Sequence, residues 1–316
     1  MRKIRLVEVR SEIAAGTRGA SMGIDAMKIA SFKRHSNFFM RFEPVSIQDE
    51  NRLLYGDPQF EFAKYAEGVY TMVNRVCETI SGLREQGLFP IVLAGDHSTA
   101  AGTICGIKKA HPNRRLGVIW IDAHADFHSP YTTPSGNMHG MPLAMVTAID
   151  NEECEQNDVE EETEAIWEKI KQIGGNGPKV DPRDIVFIGV RDTEKPEDHL
   201  IDKYEIRNFT TEEVNHRGVK KVAKEALKIL KDCDQIYISF DVDSLDTKVS
   251  KGTGTPVPNG LKKEQAFELN RELIKDKRVC CWEIVEVNPT LDTENKMAEN
   301  AFEILEATTD SLIENF

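Results

Sequence analysis

Paired cysteines, long apolar stretches and any excess of basic residues are all missing from this 316-residue sequence, and each absence excludes something. The six cysteines form no C-x-x-C pair, and Cys77, Cys105, Cys233, Cys280 and Cys281 sit inside apolar runs. They read as buried free thiols of a reducing compartment, not as a disulfide frame. No uninterrupted apolar stretch approaches the length of a membrane span. The opening residues Met1-Arg-Lys-Ile-Arg-Leu-Val-Glu-Val9 lack the apolar core and small-residue cleavage site of a signal peptide, so the expectation is a cytoplasmic protein. The net charge of −13 argues against nucleic acid and anionic membranes as partners, and it suits a cationic small molecule. No repeat or low-complexity tract interrupts the chain. With 40% hydrophobic residues it has enough material for one core, and a single domain over 1–316 is expected.

What is present is a pattern of apolar runs that end in acids and imidazoles. Trp120-Ile-Asp-Ala-His-Ala-Asp126 places Asp122, His124 and Asp126 at every second position, and on an extended backbone such residues point the same way. Ile238-Ser-Phe-Asp-Val-Asp243 repeats the arrangement with Asp241 and Asp243, and Phe89-Pro-Ile-Val-Leu-Ala-Gly95 delivers Asp96 and His97. One such segment alone would serve as a helix cap with a satisfied histidine. Its recurrence at three run ends points to a metal site, one that holds two ions.

Strand-like runs alternate with helical periods, which predicts βα units around a mostly parallel sheet. The expected strands are Ile4–Val9, Pro90–Ala94, Leu116–Asp122, Ile185–Val190, Gln235–Phe240 and Val279–Val287. From Val219 to Leu230, residues Val219, Val222, Ala223, Ala226, Leu227 and Leu230 form one apolar stripe opposite lysines, and Thr210 with Glu213 forms a capping box just before it. Residues 150–180 open with an acidic run followed by a short helix, and read as a solvated surface excursion.

In open α/β sheets, ligands collect at the carboxyl ends of strands, where these runs leave their polar residues. Two imidazoles with several carboxylates and no thiol form a hard ligand set that suits Mn²⁺, with zinc left open. Two divalent ions about 3.5–4 Å apart share a hydroxide at neutral pH, so a hydrolase is expected. Downstream, Thr132-Thr-Pro-Ser-Gly-Asn-Met-His-Gly-Met-Pro142 offers Thr133, Ser135 and Asn137 as neutral hydrogen-bonding groups around a turn, with His139 placed to shuttle a proton.

Together with Gly95-Asp-His-Ser98, Thr253-Gly-Thr-Pro256 and Glu286-Val-Asn-Pro289, these blocks resemble, in order, the signature blocks of the arginases within the ureohydrolase superfamily. The resemblance implies a three-layer α/β/α fold with a central parallel eight-stranded sheet, assembled as a trimer or hexamer. It implies two Mn²⁺ per chain: His97 and Asp126 on one, His124 and Asp243 on the other, Asp122 and Asp241 bridging. A metal-bridging hydroxide would attack the guanidinium carbon of L-arginine to give urea and L-ornithine. Asp126, His139 and Glu286 would be the catalytic residues, with Glu286 pairing with the guanidinium and His139 serving the departing amine. Thr255 would line the guanidinium pocket. Thr133, Ser135 and Asn137 would meet the α-carboxylate, and Asp192 would stand near the α-amino group.

Two positions depart from the family pattern. His128 stands where an Asn is usual, and Glu194 where an Asp reads the α-amino group. Both fall on the part of the pocket that reads the amino-acid head, not on the metals. Formimidoylglutamase, agmatinase and guanidino-acid hydrolases share the metal chemistry, and the Ser135–Asn137 loop favours a substrate with an α-carboxylate over agmatine. A non-catalytic subunit of the same fold is the more distant alternative, disfavoured by the intact ligand set, His139 and Glu286.

Overall fold

The computed structural model describes residues 3–315. Eight strands form one sheet: β1 (Ile4–Val9), β2 (Pro44–Ile47), β3 (Phe89–Ala94), β4 (Leu116–Ile121), β5 (Ile185–Ile188), β6 (Arg207–Phe209), β7 (Gln235–Asp241) and β8 (Val279–Val285). Their order is β2-β1-β3-β8-β7-β4-β5-β6, and every pairing is parallel. Parallel strands need helical crossovers, so both faces are covered and inner strands become continuously apolar. β3, β4, β7 and β8 are buried at every residue. Alternate side chains go to opposite cores: Val118 and Trp120 pack with the helices Ala66–Glu85 and Glu161–Lys171, Ile119 and Ile121 with Val219–Ile229 and Lys296–Glu314.

β2 and β6 were not expected from the residues. They are short edge strands with partly exposed faces, and carry no apolar run to announce them. Three strands also end early, β4 by one residue at Ile121. β5 stops at Ile188 because Gly189 turns at φ 93°, and β8 stops at Val285 because Glu286 adopts φ 65°. The capping box is formed, with Glu213 N donating to Thr210 Oγ1 at 3.2 Å, but it starts a separate helix, Thr211–Arg217. Gly218 at φ 81° breaks the chain before Val219–Ile229 begins.

In the acidic segment Glu152, Glu153 and Glu155 are exposed, while Ile166, Trp167 and Ile170 of the following helix are buried. Asp150 anchors that helix by accepting from Trp167 Nε1 at 2.6 Å and Lys171 Nζ at 2.6 Å. All six cysteines are free, and all but Cys154 are buried. Among the described residues no helix is long and apolar enough to cross a membrane.

Candidate active site

Four adjacent strands at the middle of the sheet, β3, β8, β7 and β4, bring their carboxyl ends together, as the reversal of strand order there requires. Past β3, Gly95 lies against the β1 loop so closely that a Cβ would sit 2.0 Å from Ser11 O. Asp96 does not join the cluster. It is fully buried and accepts from Ser98 N at 3.0 Å and Ser11 Oγ at 3.0 Å, which caps the next turn and ties down the loop after β1.

His97 does join it. Its Nδ1 faces Asp126 Oδ2 at 2.9 Å, Asp122 Oδ2 at 3.1 Å and Asp241 Oδ2 at 3.2 Å, and its ring stacks on Trp120 with centroids 4.0 Å apart. His124 forms the second focus, with Nδ1 2.9 Å from Asp243 Oδ2 and 3.6 Å from Asp122 Oδ1. Asp122 therefore belongs to both groups. The alternation expected for Asp122, His124 and Asp126 is not how they converge. β4 ends at Ile121, and the three lie on a loop in which Asp126 takes φ 49°. Likewise Asp241 ends β7 and accepts from Asp243 N at 2.7 Å, so a tight turn aims Asp243 inward.

This donor set fits divalent cations. His97 Nδ1 and Asp122 Oδ2 are buried and make no hydrogen bond despite their separation of 3.1 Å, as groups directed at a common third body do. Burial, with the charge of Asp122 next, pushes the Asp243 carboxyl up to about 6. Burial also raises Asp241 well above the carboxylate range, helped by Asp243 and Asp122. Asp122 goes the other way: burial works to raise it, but the imidazoles of His124 and His97 close beside it hold it low. Such mutual repulsion in a dry site is what a cation would relieve. Carboxylate and imidazole donors without thiols suit hard ions.

Glu286 closes the β8 side. Its Oε1 accepts from His97 N at 3.0 Å and lies 3.5 Å from His139 Nδ1, while its own N–H donates to Gly95 O at 2.8 Å. Burial acts to lower the His139 pKa, but the bond to Glu286 and the charges of Glu286, Asp126 and Asp96 outweigh it and raise the value. Thr255 Oγ1 donates to Asp243 Oδ2 at 3.2 Å.

A cleft of about 160 Å³ opens above this centre, and Thr133, Ser135, Asn137, His128, Asp192, Glu194 and Thr255 all line it. Thr133 Oγ1 is engaged by Gly136 N at 3.0 Å, which shapes the turn that presents Ser135 and Asn137. Asp192 is 64% exposed at its side chain, 3.7 Å from His124 Nε2. Three contributors were not expected. Ser239 lies 2.7 Å from His97 Nε2, Glu197 is buried beside His128, and Arg191 donates to Asp243 O at 2.9 Å and Val257 O at 2.8 Å, binding the β5 loop to the β7 loop. Glu197 had a sequence signal, since a capping box pairs Glu194 with the residue three further on. Ser239 and Arg191 had none.

Comparison with known proteins agrees with this geometry. The family model described as "Arginase family" matches residues 2–309. The chain is 33% identical over 312 residues to an arginase of Brevibacillus brevis, covering 96% of each chain. Its fold is similar to the crystal structure of Bacillus cereus arginase, with TM-score 0.82 at 28% identity and 98% of each chain covered. Entamoeba histolytica arginase in complex with L-ornithine aligns with TM-score 0.81 at 28% identity, covering 97% of this chain and 98% of that one. Matched across nearly its whole length, the chain belongs to the arginase family.

Proposed function

We propose that this protein, a single arginase-like domain, hydrolyses L-arginine to urea and L-ornithine with two manganese ions per chain. The observation that carries the reading is the convergence of His97, His124, Asp122, Asp126, Asp241 and Asp243 beside Glu286 and His139. His97 and Asp126 would hold one ion and His124 and Asp243 the other, with Asp122 and Asp241 between them. When bound, the ions supply Lewis acidity and lower the pKa of water.

The chain's own groups do the rest. Glu286, fixed by His97 N, pairs with the guanidinium, whose fork of donors matches a carboxylate. Asp126 orients the attacking water. As water adds to the guanidinium carbon, the bond to the side-chain nitrogen breaks. That nitrogen takes a proton carried by His139, whose ring is kept basic by Glu286. Thr255 supports Asp243 beside the guanidinium pocket. Thr133, Ser135 and Asn137 meet the α-carboxylate, and Asp192, Glu194 and His128 surround the α-amino end.

The reading includes a cytoplasmic homo-oligomer, trimer or hexamer. The free cysteines and the exposed apolar side chains of Phe32, Met40 and Tyr55 support it. His124→Asn tests the site. Turnover should collapse and one manganese should be lost, with the circular dichroism spectrum unchanged. Full activity in that variant would overturn the dinuclear reading.

A further inference from the structure

We propose that His128, Glu194 and Glu197 form a third divalent-cation site, of the zinc type, at the mouth of the cleft. One ligand atom from each lies within 4.8 Å of the other two, and the trio shares no residue with the groups around His97 and His124. His128 follows Asp126 by two positions, while Glu194 and Glu197 flank the start of the helix Lys195–Lys203. His128 Nε2 is 2.5 Å from Glu194 Oε2 and 3.5 Å from Glu197 Oε2.

Two of the three side chains are buried and braced from behind. His128 Nδ1 lies 3.2 Å from Thr132 Oγ1. Glu197 Oε1 accepts from Phe127 N at 3.1 Å, and its Oε2 from Glu194 N at 3.1 Å. Support of this kind on the far side of a ligand orients it toward a metal. An ion pair between His128 and Glu194 accounts for those two residues alone. Glu197 serves the capping box of this helix, and in that role its buried Oε2 is also brought within 3.5 Å of the same nitrogen, with a lone pair left for a cation.

Imidazole and carboxylate are both zinc ligand types, and three such ligands leave a fourth position open. The Glu194 side chain, 54% exposed, leaves that position toward the cleft and can swing to admit the ion. A cation there would occupy the carboxylate that meets a substrate's amino group, so the two would compete. That competition rests on the function proposed above, whereas the cation count does not.

The test is equilibrium dialysis of the full-length protein against excess Zn²⁺, with total zinc per chain counted for the wild type, His128→Asn and Glu194→Gln. Thermal melting verifies that each variant is folded. The expected result is the loss of one equivalent in both variants. Equal counts in wild type and variants overturn the proposal. Asp122→Asn, which disrupts the inner centre, should lower the count while keeping the equivalent that depends on His128. An inner centre that fails to bind would count against the dinuclear reading and leave the one-equivalent difference intact.

Discussion

His97 Nε2 lies 2.7 Å from Ser239 Oγ, on the side of the imidazole opposite the carboxylates that surround Nδ1. Ser239 sits in β7, two residues before Asp241, so one strand supplies both a cluster carboxylate and the brace of a cluster imidazole. The hydroxyl fixes the ring rotation and tautomer that present Nδ1 to the centre. Ser239→Ala should therefore weaken metal binding by about 10–100-fold with the fold preserved. Titration of metal into the purified variant checks this, and unchanged affinity would show that the stack on Trp120 holds the ring without help.

Metal removal should cost stability. Asp122, Asp126 and Asp241 all lie within 3.2 Å of one imidazole nitrogen, and burial screens little of their repulsion. A site filled at a hundredfold excess over its dissociation constant contributes about 2.7 kcal/mol. Calorimetry with and without chelator should show a melting temperature several degrees lower for the stripped protein. Coincident curves would mean that the cluster binds no ion under those conditions.

The loop that presents Ser135 and Asn137 depends on Gly136. This residue adopts φ 73°, its carbonyl accepts from Lys64 N at 2.9 Å, and a Cβ would sit 1.9 Å from Glu61 O. Left-handed backbone alone costs a side chain about 1–2 kcal/mol, before the clash is counted. Gly136→Ala should lower stability by at least that amount and raise KM for L-arginine more than it lowers kcat. Wild-type KM in this variant would remove the loop from substrate binding.

A second buried pair lies deeper in the sheet, where Tyr237 Oη donates to Glu283 Oε2 at 2.8 Å. Both side chains are fully buried, and Tyr237→Phe deprives the carboxyl of a partner. A loss of about 1–3 kcal/mol is expected, seen as a lower denaturant midpoint with unchanged metal content.

How much of this was legible in the sequence follows from what each residue's role depends on. The inner strands were legible because burial on both faces makes them continuous apolar runs, and the acids at their ends stood out against that background. β2 and β6 were not, since an edge strand of three or four residues owes its existence to its neighbour. Asp122, His124 and Asp126 were identified as a group for the wrong local reason: a loop with left-handed Asp126 aims them, not strand alternation. Ser239 acts through a contact 142 residues away along the chain, which spacing does not reveal; for Glu197 spacing reveals the capping box with Glu194 but not the contact with Phe127, 70 residues away.

The most direct test of the central claim is urea release by the purified, Mn²⁺-loaded protein. L-arginine would be compared with agmatine and guanidinobutyrate, and with formiminoglutamate by ammonia or formamide release. A strong preference for L-arginine is predicted, which would show that a head pocket with His128 and Glu194 still reads an amino acid. Turnover of another substrate with none of L-arginine would contradict the proposed function while keeping the metal centre.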